Sequence, residues 1–332
     1  MSVPVFDCHC DTATHALEKG EILRRNKMQL DLERLAAYAP AGQVFAICAV
    51  DDPDPVAFAD RSIAFFLRQI EKNSDIAKLC LNFQDIVAAE NDGKIAALIS
   101  IEGAEQISDI DSAYDHGVRI VHLTWNHDNL LCGAAMDGGT GLTNKGRQFV
   151  MRAQELGIML DMSHISERGF WDTLEISTRP VIAGHSNSKA VCNVPRNLSD
   201  EQFAALVRRG GGAGINLYPE FLGLGRDIDA VFAHIDHFMS LGGERSVFLG
   251  CDLLVVNVRS KLAVLHTADG ADRLLRAGRR AARMRRNCQG DVYKGTFVVI
   301  GIFGGEDRLE LLFARFTYRE SAVFPSPACG KG

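Results

Sequence analysis

The chain has 332 residues, of which 47% are hydrophobic and 23% charged, a composition typical of a folded globular protein. Its formal net charge of −6 argues against a nucleic-acid-binding protein, which would usually carry a basic face. The nine cysteines contain no CxxC pair and indicate neither a disulfide framework nor a zinc ribbon. Since we find no signal-peptide pattern and no apolar run near the length of a membrane span, we expect a cytoplasmic protein without a membrane partner.

Short apolar, β-branched segments alternate with longer amphipathic segments along the chain as far as Gly250. The short segments are continuously apolar, as expected for strands that are covered on both faces of a parallel sheet. Eight strand-then-helix units predict an α/β fold of the (β/α)8 TIM barrel type, and no glycine-rich phosphate loop follows the first strand. The predicted strands are Val3–Phe6, Gln43–Val50, Ile95–Ile101, Val118–Thr124, Ile158–Met162, Pro180–Ala183, Gly212–Leu217 and Val247–Gly250.

Histidines and carboxylates follow several predicted strands at their carboxyl ends, where barrel enzymes hold their active sites. A lone histidine there is more often structural, and a lone glutamate can cap a helix. Convergence of the whole set by chance is improbable, and histidine together with carboxylate suits zinc. His9 and Asp11 also occupy alternate positions of an extended segment, so we expect them to bind one ion together. The set comprises His9, Asp11, Glu102, His164, His185 and Asp252.

The same residues lie in motifs that resemble those of the renal (membrane) dipeptidase family of zinc metallopeptidases. The resemblance extends in register from Met1 to Asp252 and comprises several separated motifs in the same order, which makes it specific. The motifs are Asp7-Cys-His-Cys-Asp11, Ile101-Glu-Gly103, Gly117-Val-Arg-Ile-Val-His-Leu-Thr-Trp125, Asp161-Met-Ser-His164, Gly184-His-Ser186 and Asn193-Val-Pro-Arg-Asn-Leu-Ser-Asp200.

The resemblance implies a metal-dependent hydrolase barrel that holds two Zn²⁺ ions bridged by Glu102. His9 and Asp11 would complete one ion, and His164 and His185 the other. A bridging water activated by the metals would then hydrolyse the peptide bond of a dipeptide. The resemblance also suggests a homodimer.

Further residues are assigned to the substrate through the same resemblance. Arg196 corresponds to the residue that binds the free carboxylate of the substrate, and Asp252 to the acid that transfers the proton. Tyr218 is a candidate for the pocket wall, although core packing is an equal alternative. Where family members often carry a histidine after Leu-Thr, this chain has Trp125. His127 is a candidate substitute for that histidine, with a solvent-facing loop residue as the alternative.

The C-terminal segment loses the family pattern abruptly. After Asp252 the family continues with Phe-Asp-Gly, whereas this chain reads Leu253-Leu-Val-Val-Asn. We therefore predict a barrel domain over residues 1–252 and a divergent segment over residues 253–332 that packs loosely. The basic run Arg273–Arg286 could be a helix that closes the barrel or a polyanion-binding arm. A frame-shifted C-terminus explains the abrupt change best.

Two other functions stay open on the sequence. One is a different binuclear amidohydrolase acting on a cyclic amide or lactone. Such barrels often carry His-x-His on the first strand and a modified lysine on the fourth, and neither is present here. The other is a metal-bound barrel that no longer turns over substrate because its C-terminus has changed. Metal content measured together with dipeptide turnover separates the three hypotheses.

Overall fold

The computed structural model describes residues 5–49, 51–223 and 225–253, together with the backbone of residues 301–303 and 310–312. The predictions for the basic run Arg273–Arg286, for the loose packing of the tail and for a frameshift lie outside the described residues. The division of the chain after Asp252 stays a prediction.

Eight parallel strands form a closed barrel, which confirms the predicted (β/α)8 fold. Including three that lie outside the barrel, the strands that the structure describes are β1 (Val5–Cys10), β2 (Ala41–Ile47), β3 (Ala77–Leu79), β4 (Ile95–Glu102), β5 (Val118–His122), β6 (Met159–Asp161), β7 (Ile182–Ala183), β8 (Gly212–Ile215), β9 (Val247–Leu249), β10 (Gly301–Phe303) and β11 (Glu310–Leu312). The barrel order is β1-β2-β4-β5-β6-β7-β8-β9, and β9 pairs back with β1. The short β3, which the sequence did not predict, pairs with β4 outside the closed ring, and β10 and β11 pair with each other.

The helices follow the strands and mostly begin at a polar cap. They are α1 (Thr12–Lys19), α2 (Leu32–Ala36), α3 (Pro55–Lys72), α4 (Phe83–Asn91), α5 (Ile110–Asp115), α6 (Asn144–Leu156), α7 (Glu167–Ile176), α8 (Asp200–Arg208), α9 (Pro219–Leu222) and α10 (Ile228–Ser240). Ser199 and Gln202 form a capping box at the start of α8, which satisfies amide groups that the helix itself leaves unpaired. Within the part of the chain that the structure describes, none of the helices is long and apolar enough to cross a membrane.

The barrel interior changes from apolar to polar along each strand. Leu98, Ile120 and Met159 belong to an apolar cluster inside the barrel. Two or four residues further along the same strands, on the same face, lie Glu102, His122 and Asp161. The apolar cluster therefore forms a floor, and polar side chains at the carboxyl ends of the strands stand above it.

A β-bulge in β1 brings His9 into the barrel mouth. Asp7 pairs with Gln43 and Cys10 with Phe45, so β1 uses one residue more than β2 between these pairs. Asp7 Oδ1 accepts hydrogen bonds from the backbone N–H of His9 at 3.1 Å and of Cys251 at 2.9 Å, which hold the bulge in place.

Two details of the prediction for this strand are wrong. The strand does not end at Phe6 but continues to Cys10, so His9 lies within it. Asp11 is not an extended residue that shares a strand face with His9. It lies at the N-cap of α1 with φ −94° and ψ 11°, and it reaches His9 because the chain turns there. The bulge, rather than strand alternation, therefore directs the side chain of His9 into the barrel mouth.

Glycines at the ends of β7, β8 and β9 let these strands approach each other closely. A Cβ at Gly214 would overlap the carbonyl oxygen of Gly184 and lie 3.1 Å from the ring of Phe248. A Cβ at Gly250 would overlap the same carbonyl and lie 3.0 Å from the Cα of His185. The position of His185 therefore depends on neighbours that carry no side chain.

We expect Gly214→Ala to lower the free energy of unfolding by about 1–3 kcal/mol, because the added methyl group meets backbone that cannot move aside cheaply. Urea denaturation followed by circular dichroism measures the change. A variant that is as stable as the parent would contradict the close approach of β7 and β8 at this point.

Candidate active site

The structure brings the five predicted metal ligands together at the carboxyl end of the barrel. Each of them is at most 7% exposed, which is unusual for ionisable side chains. His9 lies in β1 and Glu102 ends β4, whereas the other three lie in the connections that follow β1, β6 and β7. The remaining three are Asp11, His164 and His185.

The carboxylate of Glu102 stands between two groups of ligands. Its Oε2 lies 3.5 Å from His9 Nε2. Its Oε1 lies 2.8 Å from His164 Nε2 and 3.3 Å from His185 Nε2. Because each oxygen faces a different group, this one side chain is placed to be shared by two cations.

The first group consists of His9, Asp11 and Asp252. His9 Nε2 lies 3.6 Å from Asp11 Oδ1 and 4.0 Å from Asp252 Oδ1. Both ring nitrogens of His9 and both carboxylate oxygens of Asp11 are buried without a hydrogen-bond partner. Unpartnered buried polar atoms are costly in a folded protein. Imidazole nitrogens and carboxylate oxygens are also the donors that zinc and similar metals take, so these residues fit a metal cofactor.

The second group consists of His164 and His185, whose Nε2 atoms are 2.9 Å apart. Nδ1 of His164 donates to Oδ1 of Asn126 at 3.0 Å, which leaves the lone pair of Nε2 directed at His185 and Glu102. The backbone of His164 has a φ of +69°, in the left-handed region that non-glycine residues rarely adopt. Strain of this kind concentrates at functional sites.

Burial and neighbouring charge give the three histidines different protonation behaviour. Burial lowers the pKa of His9, but Glu102 and Asp11 outweigh it and raise that pKa well above its ordinary value. Burial and the charge of Arg196 lower the pKa of His164 to about 3. Burial and the charge of His9 hold the pKa of His185 well below its ordinary value. His164 and His185 therefore stay neutral, as metal ligation requires.

The pKa of the Glu102 carboxyl is also set by burial acting against neighbouring groups. Burial raises this pKa, but the positive charge of His9 together with the close contacts of His164 and His185 outweighs it and holds the pKa well below its ordinary value. Glu102 is therefore an anion in the buried cluster, and positive charge around it is what stabilises that anion.

His122 and Asp161, which were not among the predicted site residues, lie next to the cluster. Nδ1 of His122 donates to the carbonyl of Ile101 at 3.0 Å, and its Nε2 lies 3.0 Å from Asp161 Oδ2. Oδ1 of Asp161 accepts from the backbone N–H of Ser163 at 2.9 Å and of Gly184 at 2.8 Å. Asp161 thus fixes both turns that carry His164 and His185.

A ligand atom of His122 also lies within 4.8 Å of ligand atoms of His9, Glu102 and His185. Both residues were within reach of the sequence, because His122 and Asp161 each stand at the carboxyl end of a predicted strand. That is the signal by which the other ligands were recognised.

Arg196 lies beside the cluster in the connection between β7 and α8 and is 3% exposed. Its Nη1 makes one long hydrogen bond of 3.5 Å to Ser186 Oγ, and its Nε and Nη2 are buried without a partner. Its guanidinium carbon lies 5.4 Å from the centre of the Phe221 ring. Burial lowers the pKa of Arg196 to about 10, with the charges of Asp252 and Glu102 acting against this. The group remains a cation with unused donors.

Asp252 has a φ of +57°, and its side chain is 9% exposed. Its Oδ2 accepts from Nδ2 of Asn216 at 2.8 Å, a contact that was not predicted although Asn216 lies near the carboxyl end of a predicted strand. Burial raises the pKa of Asp252 to about 7, and Asp11 and Glu102 add to this while His9 opposes it. Tyr218 lies half-buried at the rim, where its ring packs on Phe221.

The structure does not bring His127 into the cluster. Its side chain is 73% exposed, and its Nδ1 lies 3.0 Å from Asp137 Oδ1. Trp125, in contrast, is half-buried with its ring centre 6.5 Å from that of His164. The placement fits the solvent-facing alternative for His127, and its contact with substrate stays a prediction.

Replacing Asp161 with Ala should lower the free energy of unfolding by about 2–5 kcal/mol, because it leaves the backbone N–H groups of Ser163 and Gly184 without their buried acceptor. Urea denaturation in the presence of a chelator measures this effect on the polypeptide alone. Asp111→Ala is the matched control, since Asp111 pairs with Arg152 on the exposed surface and should change stability by about 1 kcal/mol or less. Equal losses in both variants would contradict the role of Asp161.

A closed (β/α)8 barrel with buried histidines and carboxylates at the carboxyl ends of its strands defines a metal-dependent hydrolase barrel. The sequence model of the membrane dipeptidase family, peptidase family M19, matches residues 1–278, and the chain belongs to this family. The protein is therefore a metallopeptidase-family enzyme that hydrolyses peptide bonds. The match also continues beyond Asp252, where the resemblance recognised in the motifs ended.

Known proteins agree with this assignment. An uncharacterized protein from the pqqA 5′ region of Klebsiella pneumoniae is 33% identical over 217 residues, which cover 60% of this chain and 80% of that protein. An uncharacterized dipeptidase of Schizosaccharomyces pombe is 33% identical over 54% of this chain and 46% of its own length. Among solved structures, a metallopeptidase of Rhodobacter sphaeroides superposes with a TM-score of 0.76 at 25% identity. The superposition covers 83% of this chain and 93% of that one.

Proposed function

We propose that this enzyme is a zinc-dependent dipeptidase that recognises the free C-terminal carboxylate of its substrate through Arg196. The observation that carries the proposal is the buried guanidinium of Arg196, which has unused donors and lies beside the candidate metal centre. A buried cation without a partner is strongly unfavourable, so the site is built for an anion. A carboxylate matches the forked geometry of guanidinium.

A related protein supports a dipeptide as the substrate class. The Rhodobacter sphaeroides metallopeptidase was crystallised with a phosphinate mimic of the dipeptide L-Ala-D-Ala. A dipeptide such as L-Ala-D-Ala carries a free terminal carboxylate on the residue that follows its scissile bond. The same two features correspond here to Arg196 and to the histidine and carboxylate cluster.

Two zinc ions are proposed at the cluster, with Glu102 shared between them. His9 and Asp11 would hold one ion, and His164 and His185 the other, as the split of the Glu102 oxygens suggests. When bound, the ions would supply a water of lowered pKa and polarise the scissile carbonyl.

Asp252 is the residue that we assign to proton transfer. Asn216 holds its Oδ2, which leaves Oδ1, 4.0 Å from His9 Nε2, facing the cluster. There Oδ1 can accept the proton of the attacking water and return it to the leaving amine. The leaving nitrogen belongs to the residue whose carboxylate Arg196 binds, so both groups act on the same half of the dipeptide. Tyr218 would close the rim of this pocket.

The carboxylate assignment predicts that dipeptides are cleaved and that their C-terminal amides are cleaved poorly. Arg196→Ala should lower kcat/KM for dipeptides by an amount that corresponds to about 2–4 kcal/mol of lost transition-state stabilisation, because a buried charge-assisted contact is lost. Steady-state kinetics on a dipeptide panel measures both effects. Arg226→Ala is the control, since Arg226 is exposed and pairs with Glu220 on the nearby surface. Equal rates on dipeptides and their amides would show that Arg196 does not select the carboxylate.

The bridging assignment predicts different metal losses in two variants. Glu102→Gln should lose both ions, because the shared ligand serves each of them, whereas His164→Ala should mainly weaken one. Elemental analysis after dialysis gives the number of ions per chain. His127→Ala, which changes an exposed histidine outside the cluster, should keep both ions. Full metal retention in the Glu102 variant would contradict the shared position.

The same assays separate the remaining alternatives. Metal binding without hydrolysis of any dipeptide would favour a barrel that has lost turnover, and hydrolysis of a cyclic amide or lactone instead would favour the other amidohydrolase. A cytoplasmic location and a homodimer stay predictions made from the sequence.

A further inference from the structure

His234 in α10 is a buried histidine outside the cluster described above, with an exposed fraction of 0%. Its Nδ1 accepts a hydrogen bond from the backbone N–H of Ser188 at 3.1 Å. Its Nε2 lies 3.3 Å from the backbone carbonyl of Leu222, to which it donates. A neutral imidazole has one acceptor and one donor nitrogen, so both are used on two separate stretches of backbone.

The first of these stretches is the loop that carries Arg196. Ser188 and Leu198 form an isolated parallel bridge, in which Lys189 N donates to Leu198 O and Leu198 N donates to Asn187 O, both at 2.8 Å. Arg196 lies inside the loop that this bridge closes. By holding Ser188, His234 holds the base of the Arg196 loop.

The second stretch, residues 218–222, begins with the pocket-wall candidate Tyr218. Asn187 and Asn197, both from the Arg196 loop, donate their side-chain N–H groups to the carbonyl of Phe221 at 3.3 Å and 2.9 Å. The ring of Phe221 lies under the guanidinium of Arg196. His234 thus joins the two stretches through its two ring nitrogens, and the asparagines and Phe221 join the same stretches through separate contacts.

We propose that His234 is a positioning residue for carboxylate recognition, which holds the Arg196 loop and residues 218–222 at a fixed separation so that the guanidinium is preorganised for the substrate. This inference rests on the proposed dipeptidase function and deepens it. Preorganisation of this kind raises affinity because the loop need not be ordered when the substrate binds. Burial also lowers the pKa of His234 to about 4, so the neutral form that can accept from Ser188 persists at neutral pH.

The test compares three variants. His234→Phe keeps a buried ring but removes both hydrogen bonds, and His234→Gln retains an acceptor and a donor. His237→Phe is the matched control, because His237 lies three residues along the same helix but contacts Asp200 instead of the two loops. Should His234→Phe fail to fold, the shorter His234→Asn, which reaches only one of the two partners, replaces it.

Two readouts are used for each variant. Steady-state kinetics should show a KM for dipeptides raised about tenfold in His234→Phe with kcat nearly unchanged, the pattern of lost substrate binding, and a partial return in His234→Gln. Hydrogen exchange of the substrate-free protein should be faster over residues 186–198 in His234→Phe than in the parent or in His237→Phe.

The outcomes are distinguishable. Unchanged exchange over residues 186–198, or faster exchange with an unchanged KM, overturns the positioning role. A general loss of stability that lowers kcat and leaves the discrimination between dipeptides and their amides intact also overturns it. If the parent cleaves no dipeptide, the proposed function fails instead, and the exchange measurement still decides whether His234 holds the loop.

Discussion

The burial of Glu102 between imidazoles is the constraint on which the rest of the site depends. An ionised carboxylate taken out of water costs several kcal/mol unless positive charge faces it. Here its two oxygens face His9 on one side and His164 with His185 on the other. Two of these histidines are neutral, so the polypeptide supplies less positive charge than the carboxylates of the cluster require. A metal cofactor held by these residues would supply the rest.

The barrel meets this constraint by fixing the backbone segments that carry the ligand candidates. The bulge in β1 turns His9 inward, and Asp7 holds the bulge by accepting two backbone N–H groups. Asp161 does the same for the turns that carry His164 and His185. In both cases a buried aspartate that is not one of the five ligand candidates sets the direction of a ligand. Such outer contacts restrict the ligand geometry before any metal binds.

The sequence predicted the fold and the positions of the five ligand candidates, because both follow from strand periodicity and from the rule that barrel chemistry lies at strand ends. It did not predict the bulge, since an extra residue in one strand shows only against its partner strand. Asp11 was expected near His9 for a reason that proved wrong, because it lies at the start of a helix. His122, Asp161 and Asn216 stand at the same strand ends, but a single sequence does not distinguish residues that support a ligand from the ligands. His234 lies in mid-helix, where periodicity predicts only burial.

One short connection carries two of the assigned functions. His185 faces Glu102. The next residue, Ser186, accepts a hydrogen bond from the guanidinium of Arg196, which lies near the other end of the same connection. The separation between the cluster and the proposed carboxylate-binding group is therefore set within one connection, which hydrogen bonds of the asparagines and His234 tie to residues 218–222. A barrel with a metal centre alone could polarise the carbonyl of any peptide that reached it. Under the proposed function, restriction to a substrate with a carboxylate one residue beyond the scissile bond requires a fixed cation at a fixed distance. The buried guanidinium of Arg196, whose Nε and Nη2 have no hydrogen-bond partner, would provide it.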